Sequence, residues 1–202
     1  MKKLLLLVAS VALLAATTTT ESGYKVGDKA TDFKLKNIDG KTVALADNKT
    51  AKGFIVVFTC NHCPFAIKYE DRIVALDKKY KAMGYPVIAI NPNDPAIVPE
   101  DNFDRMKTRA KEKGFTFPYL VDETQAIAKA YGAMKTPHVY ILKKEKDALV
   151  VKYIGAIDDN SDDVKAVKEK YVESALNNLL AGKDATPDFT KAIGCGIKWK
   201  KS

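Results

Sequence analysis

The chain has 202 residues, enough for one domain with a substantial core. Lysine and arginine number 33 against 25 aspartates and glutamates, a net charge of +8. The lysines are interleaved with acids (Lys143 to Asp147, Lys165 to Lys170), which is a solvated surface and excludes the single-sign stripe of a nucleic-acid partner.

In chain order, Met1-Lys2-Lys3 is a short basic start. Leu4 to Ala16 is an apolar run too short to span a bilayer, and small residues follow up to Thr20. That is the build of a secretory signal peptide over residues 1–20, with an uncleaved anchor as the alternative. No cysteine lies near the expected cut, which disfavours a lipid anchor. No later segment is apolar enough for a membrane span, so none is expected after cleavage, and the expected location is periplasmic or secreted. A domain over 24–182 and a tail over 183–202 packing on it complete the expected organisation.

Phe33 to Lys36 and Thr42 to Leu45 read as a hairpin around Asp39-Gly40. Gly53 to Thr59 is a continuous β-branched and aromatic run, the signature of a strand buried on both faces. Ile73, Leu76, Tyr80 and Met83 recur at helical spacing and stop at Gly84. Pro86 to Ile90 is a second buried strand. Phe103, Met106 and Ala110 mark a second helix closed by Gly114, and Tyr119 to Val121 a short strand. Asp122 and Gln125 suggest a capping box for a helix to Tyr131. His138 to Leu142 and Leu149 to Ile154 form a strand pair, antiparallel because its connection is short. The last long helix is predicted from Ser161, with Val164, Val167, Tyr171, Leu176 and Leu179 as its buried stripe. Strands alternating with helices predict an α/β fold. The tail has no periodicity; it carries Cys195 and Trp199, the latter expected to anchor it by packing.

The three cysteines, Cys60, Cys63 and Cys195, are too few for a stapled scaffold, and their odd number points to chemistry or to one free thiol. Cys60-Asn61-His62-Cys63-Pro64 stands between the first buried strand and the first long helix. Unpaired N–H groups and the positive end of the helix dipole favour thiolate there. Two intervening residues let the thiols reach each other, and a protonated His62 would tune the first thiol downward. A passive disulfide across so small a loop gains little chain entropy. Half of a zinc site would want a second pair of ligands, and only Cys195 and His138 are available.

These residues resemble the thioredoxin-like superfamily. The hairpin, the segment 58–66, the Thr136-Pro137 step and the β-β-α ending carry the likeness. More closely, the chain is similar to the redoxin group (alkyl hydroperoxide reductase/thiol-specific antioxidant) that carries CNHCP, through residues 91–94, 117–125, 130–137 and 194–199 as well. The resemblance implies a central mixed sheet flanked by helices, with an N-terminal hairpin. It implies that Cys60 is the exposed attacking thiol and Cys63 the buried resolving one. Pro137 would be a cis-proline opposite the pair, leaving the Thr136 backbone to bind an incoming peptide strand. Two departures stand out: Thr59 replaces the tryptophan usual before the motif, and Lys135 stands where the subgroup often has another cysteine.

The expected activity is thiol–disulfide exchange with protein substrates, needing no cofactor and drawing on an unidentified electron donor or acceptor. Cys195 is either a buried free thiol or a third redox thiol folded back to the site. His138 is an ordinary strand histidine or a site residue. Asn91 and Asp94, at the end of the second buried strand, are site candidates or turn-formers, with the turn favoured. The peroxidase alternative lacks its hydroxyl: three residues before Cys63 is Cys60, and three before Cys60 is Val57. No metal is expected, with a copper chaperone using Cys60, Cys63 and His138 as the remaining alternative.

Overall fold

A computed structural model describes residues 23–201. The expected signal segment, residues 1–20, lies outside the described residues. Among those described, no helix is long and apolar enough to cross a membrane.

The elements run β1 (Lys29–Ala30), β2 (Lys34–Asn37), β3 (Thr42–Ala44), β4 (Gly53–Phe58), α1 (Pro64–Tyr80), β5 (Val87–Asn91), α2 (Phe103–Lys113) and β6 (Tyr119–Val121). They continue with α3 (Ala126–Tyr131), β7 (Lys135–Thr136), β8 (His138–Glu145), β9 (Ala148–Gly155), α4 (Tyr171–Leu180) and β10 (Cys195–Gly196). Eight strands form one mixed sheet in the order β1-β9-β8-β4-β5-β6-β2-β3, and β10 pairs with β7 in a separate two-stranded ribbon. β4, β5 and β6 are parallel, as helical crossovers require. The β8–β9 hairpin is antiparallel, and β8 lies antiparallel to β4. This is the thioredoxin-like α/β architecture with an N-terminal hairpin that the sequence suggests.

Every residue of β4 and β5 is buried, because helices cover both faces of the sheet. The period of two divides them cleanly. Ile55, Val57, Val87 and Ala89 face a core built with Ile73, Leu76 and Tyr80 of α1, Met106 of α2, and Leu176 and Leu179 of α4. Phe54, Val56, Phe58, Ile88 and Ile90 face the other side, with Ala128 and Tyr131 of α3. The central strands are thereby clamped from both sides, which fixes the carboxyl end of β4, where the cysteine motif begins.

The structure corrects four readings. Met83 is exposed, because α1 ends at Tyr80 and the chain tightens into a 3₁₀ turn over Lys81–Met83 before the left-handed Gly84. The last helix starts at Tyr171, ten residues after the expected Ser161, and Val164 is exposed. Side-chain acceptors hold the intervening segment out of α-helix, leaving a 3₁₀ turn over Val164–Ala166. Asn160 Oδ1 accepts from the backbone N–H of Asp162 and Asp163, Asp163 from that of Lys165, and Asp159 from that of Lys168. Arg72 of α1 pins the same segment through Asp158 and the carbonyl of Asn160. Asp122 is not the cap of α3: its carboxylate accepts from Ala128 N, while the cap position belongs to Gln125. Trp199 is 37% exposed, and the buried anchor of the tail is Ile197.

Candidate active site

β4 ends at Phe58, and the chain leaves the sheet through Thr59 to His62. α1 begins at Pro64, a residue preorganised for the first helical turn, with Cys63 as its extended N-cap. The helix terminus therefore falls at Cys63 rather than at Cys60. Backbone N–H groups of His62 and Cys63 nevertheless point at the Cys60 sulfur and favour its thiolate.

Thr136-Pro137 is a cis bond, and Thr136 at the end of β7 lies against both sulfurs. Cys60 Sγ lies 3.2 Å from the Thr136 hydroxyl. Cys63 Sγ lies 3.2 Å from the Thr136 carbonyl oxygen. Cys60, Cys63 and Ala66 pack together, with Phe65 and Cys195 against them. Residues 76 positions apart thus meet.

The sulfur chemistry differs from expectation in two ways. Cys60 is buried, at 2% exposure, rather than an open attacking thiol. The disulfide joins Cys63 to Cys195, 132 residues downstream with Cα atoms 6.0 Å apart, and Cys60 is the free cysteine. The reason is the tail, which pairs β10 with β7 and sets Cys195 directly opposite Thr136.

Asp101 is the site residue that the sequence did not single out. It sits in the loop between β5 and α2, and its carboxylate is fully buried. Oδ1 accepts from the Asn61 backbone N–H at 2.7 Å, and Oδ2 from Asn93 Nδ2 at 2.7 Å. His62 Nδ1 lies 2.6 Å from Oδ2, and since a carboxylate only accepts, Nδ1 carries the proton of that bond. Asn61 also donates to the Glu100 carbonyl and accepts from the Tyr119 hydroxyl, so the motif's second residue locks the loop that carries Asp101. His62 is accordingly turned toward Asp101. Burial and then the Asp101 charge push the Cys60 thiol up to about 11, against the smaller lowering effect of Thr136 and the backbone donors. The expected downward tuning of Cys60 is overridden, because desolvation penalises the thiolate more than these donors stabilise it.

His138 is buried in β8 opposite Phe58, and its Nδ1 accepts from the Met134 N–H at 3.4 Å. Burial pushes its pKa down to about 4. Among the described residues, one group of three metal-capable side chains converges: Cys60, His62 and Asp101, with ligand atoms within 4.8 Å of one another. Neither His138 nor the disulfide-bonded Cys63 belongs to it, so the copper set Cys60, Cys63 and His138 is not assembled. Asp94 makes the turn after β5, accepting from Ala96 N through its side chain, and Asn91 accepts from Asn93 N.

A paired-cysteine loop at the head of a helix, facing a cis-proline strand across a sheet of this topology, defines a thioredoxin-like thiol oxidoreductase. More narrowly, the chain belongs to the AhpC/TSA family, whose model matches residues 26–157. The crystal structure of an uncharacterized conserved protein from Geobacillus kaustophilus is 39% identical. It covers 88% of this chain and 94% of its own, with a TM-score of 0.81. A hypothetical protein from Sinorhizobium meliloti 1021 is 33% identical over 90% of this chain and 98% of its own, with a TM-score of 0.82. Among curated relatives, the thiol-disulfide oxidoreductase ResA of Halalkalibacterium halodurans is 25% identical over 127 residues, 63% of this chain and 68% of that protein.

Proposed function

We propose that this protein is an exported thiol–disulfide oxidoreductase that exchanges disulfides with protein substrates through Cys60 and Cys63. The observation that carries the reading is the convergence of both sulfurs on Thr136, beside the cis-proline and at a strand edge able to hold an extended peptide. In the reductive direction the Cys60 thiolate attacks a substrate disulfide, forming a mixed disulfide and releasing one substrate thiolate, which takes up a proton. The Cys63 thiolate then attacks Cys60, freeing the second substrate thiol and leaving a Cys60–Cys63 disulfide. Two electrons have passed to the substrate, and an external dithiol must return them. The oxidative direction is the reverse sequence.

His62 and Asp101 act here as positioning residues. Asp101 ties the backbone of Asn61 and the ring of His62, which holds the loop between the cysteines. Export rests on the basic start and apolar run of residues 1–20, giving a periplasmic or secreted protein. Mass measurement of the protein recovered from the expressing cell's exterior or periplasm should show loss of that segment. Recovery of the full-length chain from the cytoplasm would overturn export.

The test of the chemistry is trapping. In the Cys63→Ala variant, mixed disulfides with substrate proteins should accumulate through Cys60, and Cys60→Ser should abolish them. The wild-type chain should catalyse dithiothreitol-driven reduction of insulin. Absence of both, together with rapid consumption of hydrogen peroxide, would replace this reading with a peroxidase.

A further inference from the structure

The peptide-docking edge is already filled by the chain itself. β10 lies antiparallel to β7, with Cys195 opposite Thr136 and Gly196 opposite Lys135. The Ile197 N–H continues the ladder to the Met134 carbonyl at 3.2 Å, and the Ile197 side chain is buried in the core below. Lys198 is held through its backbone alone: its N–H donates to Asn93 Oδ1, and its carbonyl accepts from Gln125 Nε2 and Asp94 N. Gln125 Oε1 also takes the N–H of Lys200. On the other side of Cys195 the chain is held at Thr190, whose Oγ1 accepts from the Ala156 N–H and whose N–H donates to the Ile154 carbonyl, while Phe189 and Ile193 are exposed. Backbone pairing with an alternate-side-chain pocket is how an extended peptide is recognised at a strand edge.

We propose that the carboxy-terminal strand is an intramolecular pseudosubstrate: it occupies the Thr136 edge, and Cys195 caps the resolving thiol Cys63, so a protein substrate must displace it to react. The inference rests on the exchange reading of Cys60 and Cys63. The uncapping step is a disulfide isomerisation. Cys60 gives up its proton, and its thiolate attacks Cys63 Sγ. The Cys60–Cys63 bond forms as the Cys63–Cys195 bond breaks, and Cys195 leaves as a thiolate that takes up a proton. One disulfide replaces another, so no external oxidant or reductant enters this step. The Cys60–Cys63 disulfide it leaves can oxidise a substrate dithiol, and two electrons from an external dithiol convert it to the pair that reduces a substrate disulfide. The tail also describes the substrate that fits the edge. A Cβ at Gly194 would collide with the Thr136 carbonyl, so the edge takes an extended segment with glycine before its cysteine.

Two measurements test this on the full chain. The oxidised protein is quenched in acid, alkylated and mapped by peptide mass spectrometry. Cys63 linked to Cys195 with Cys60 alkylated is expected; Cys60–Cys63 alone would overturn the cap. Reduction of a disulfide-linked dimer of the peptide Ile-Gly-Cys-Gly-Ile-Lys, driven by dithiothreitol, then gives KM for the wild type, Cys195→Ser and Gly194→Ala. If the tail holds the edge nine-tenths of the time, KM falls about tenfold when it is released. Gly194→Ala should show that fall while keeping all three thiols, whereas Cys195→Ser, whose strand keeps the Ile197 and Lys198 anchors, should match the wild type once dithiothreitol has opened the cap. Unchanged KM in Gly194→Ala would overturn the pseudosubstrate. Loss of all reduction in the wild type and in Cys195→Ser would instead defeat the exchange reading, whatever the mapping shows.

Discussion

Cys60 is the residue at which opposing influences can be weighed. Backbone donors and the Thr136 hydroxyl favour its thiolate, yet burial and the neighbouring Asp101 charge dominate and raise the thiol from 9.0 to about 11. Two expectations follow at this scale. Because Cys60 is the one free thiol of the oxidised chain, its alkylation by iodoacetamide reports on this balance directly. The rate should climb steadily from pH 7 to 10, and Asp101→Asn should raise the rate at pH 7, by about tenfold for each unit by which the thiol falls. A flat response to that substitution would separate the Asp101 charge from the sulfur. The second concerns stability. A thiol raised on folding leaves the folded state undisturbed below its unfolded value, and stability is lost as pH rises through about 9 to 11. The share owed to Cys60 amounts to about 3 kcal/mol, so Cys60→Ser should lose less stability over that range in urea titrations, the remainder belonging to the buried tyrosines Tyr131, Tyr140 and Tyr153, which burial also raises.

Among the elements, the segments that could be read in advance were those whose periodicity served a core. β4 and β5 are continuous apolar runs because both of their faces are covered, and α1 shows its stripe because one face packs on the sheet. Val164 and Val167 continue the helical spacing and so predict an earlier start for α4, but Asp159, Asn160 and Asp163 accept from the backbone locally and win. Caps also bear on the site. Asn102 follows Asp101 and accepts the Arg105 N–H at the start of α2. Asn102→Ala should lower stability by about 1 kcal/mol, a fall of ~2–4 °C in Tm by calorimetry. Since the same loop carries Asp101, the variant should also speed Cys60 alkylation.

For the whole molecule, the sheet is what brings distant sequence together: β4 delivers the cysteine loop, β7 the Thr136 edge, the β5–α2 loop Asp101, and the tail Cys195. His138, next to that edge, links the fold to pH. Burial depresses its pKa from 6.5 to about 4, so the unfolded chain binds the proton first, and stability is lost as pH falls through that window. His138→Gln should flatten the acid limb of a stability–pH curve measured by urea denaturation between pH 7 and 4. An unchanged limb would mean that the ring does not titrate in that range. Taken alone, the sequence determined the α/β class, the strand–helix junction at Cys60 to Cys63 and the Thr136-Pro137 step, because each is written in local periodicity, turn chemistry or contiguous motif. It also carried Cys195 as an open question. Only the tertiary structure decided that Cys195 bonds to Cys63, that Asp101 lies under the loop and that Cys60 is buried. Those outcomes depend on which strand edge the tail pairs with and on how much water that pairing excludes, and neither is encoded in the spacing of residues along the chain.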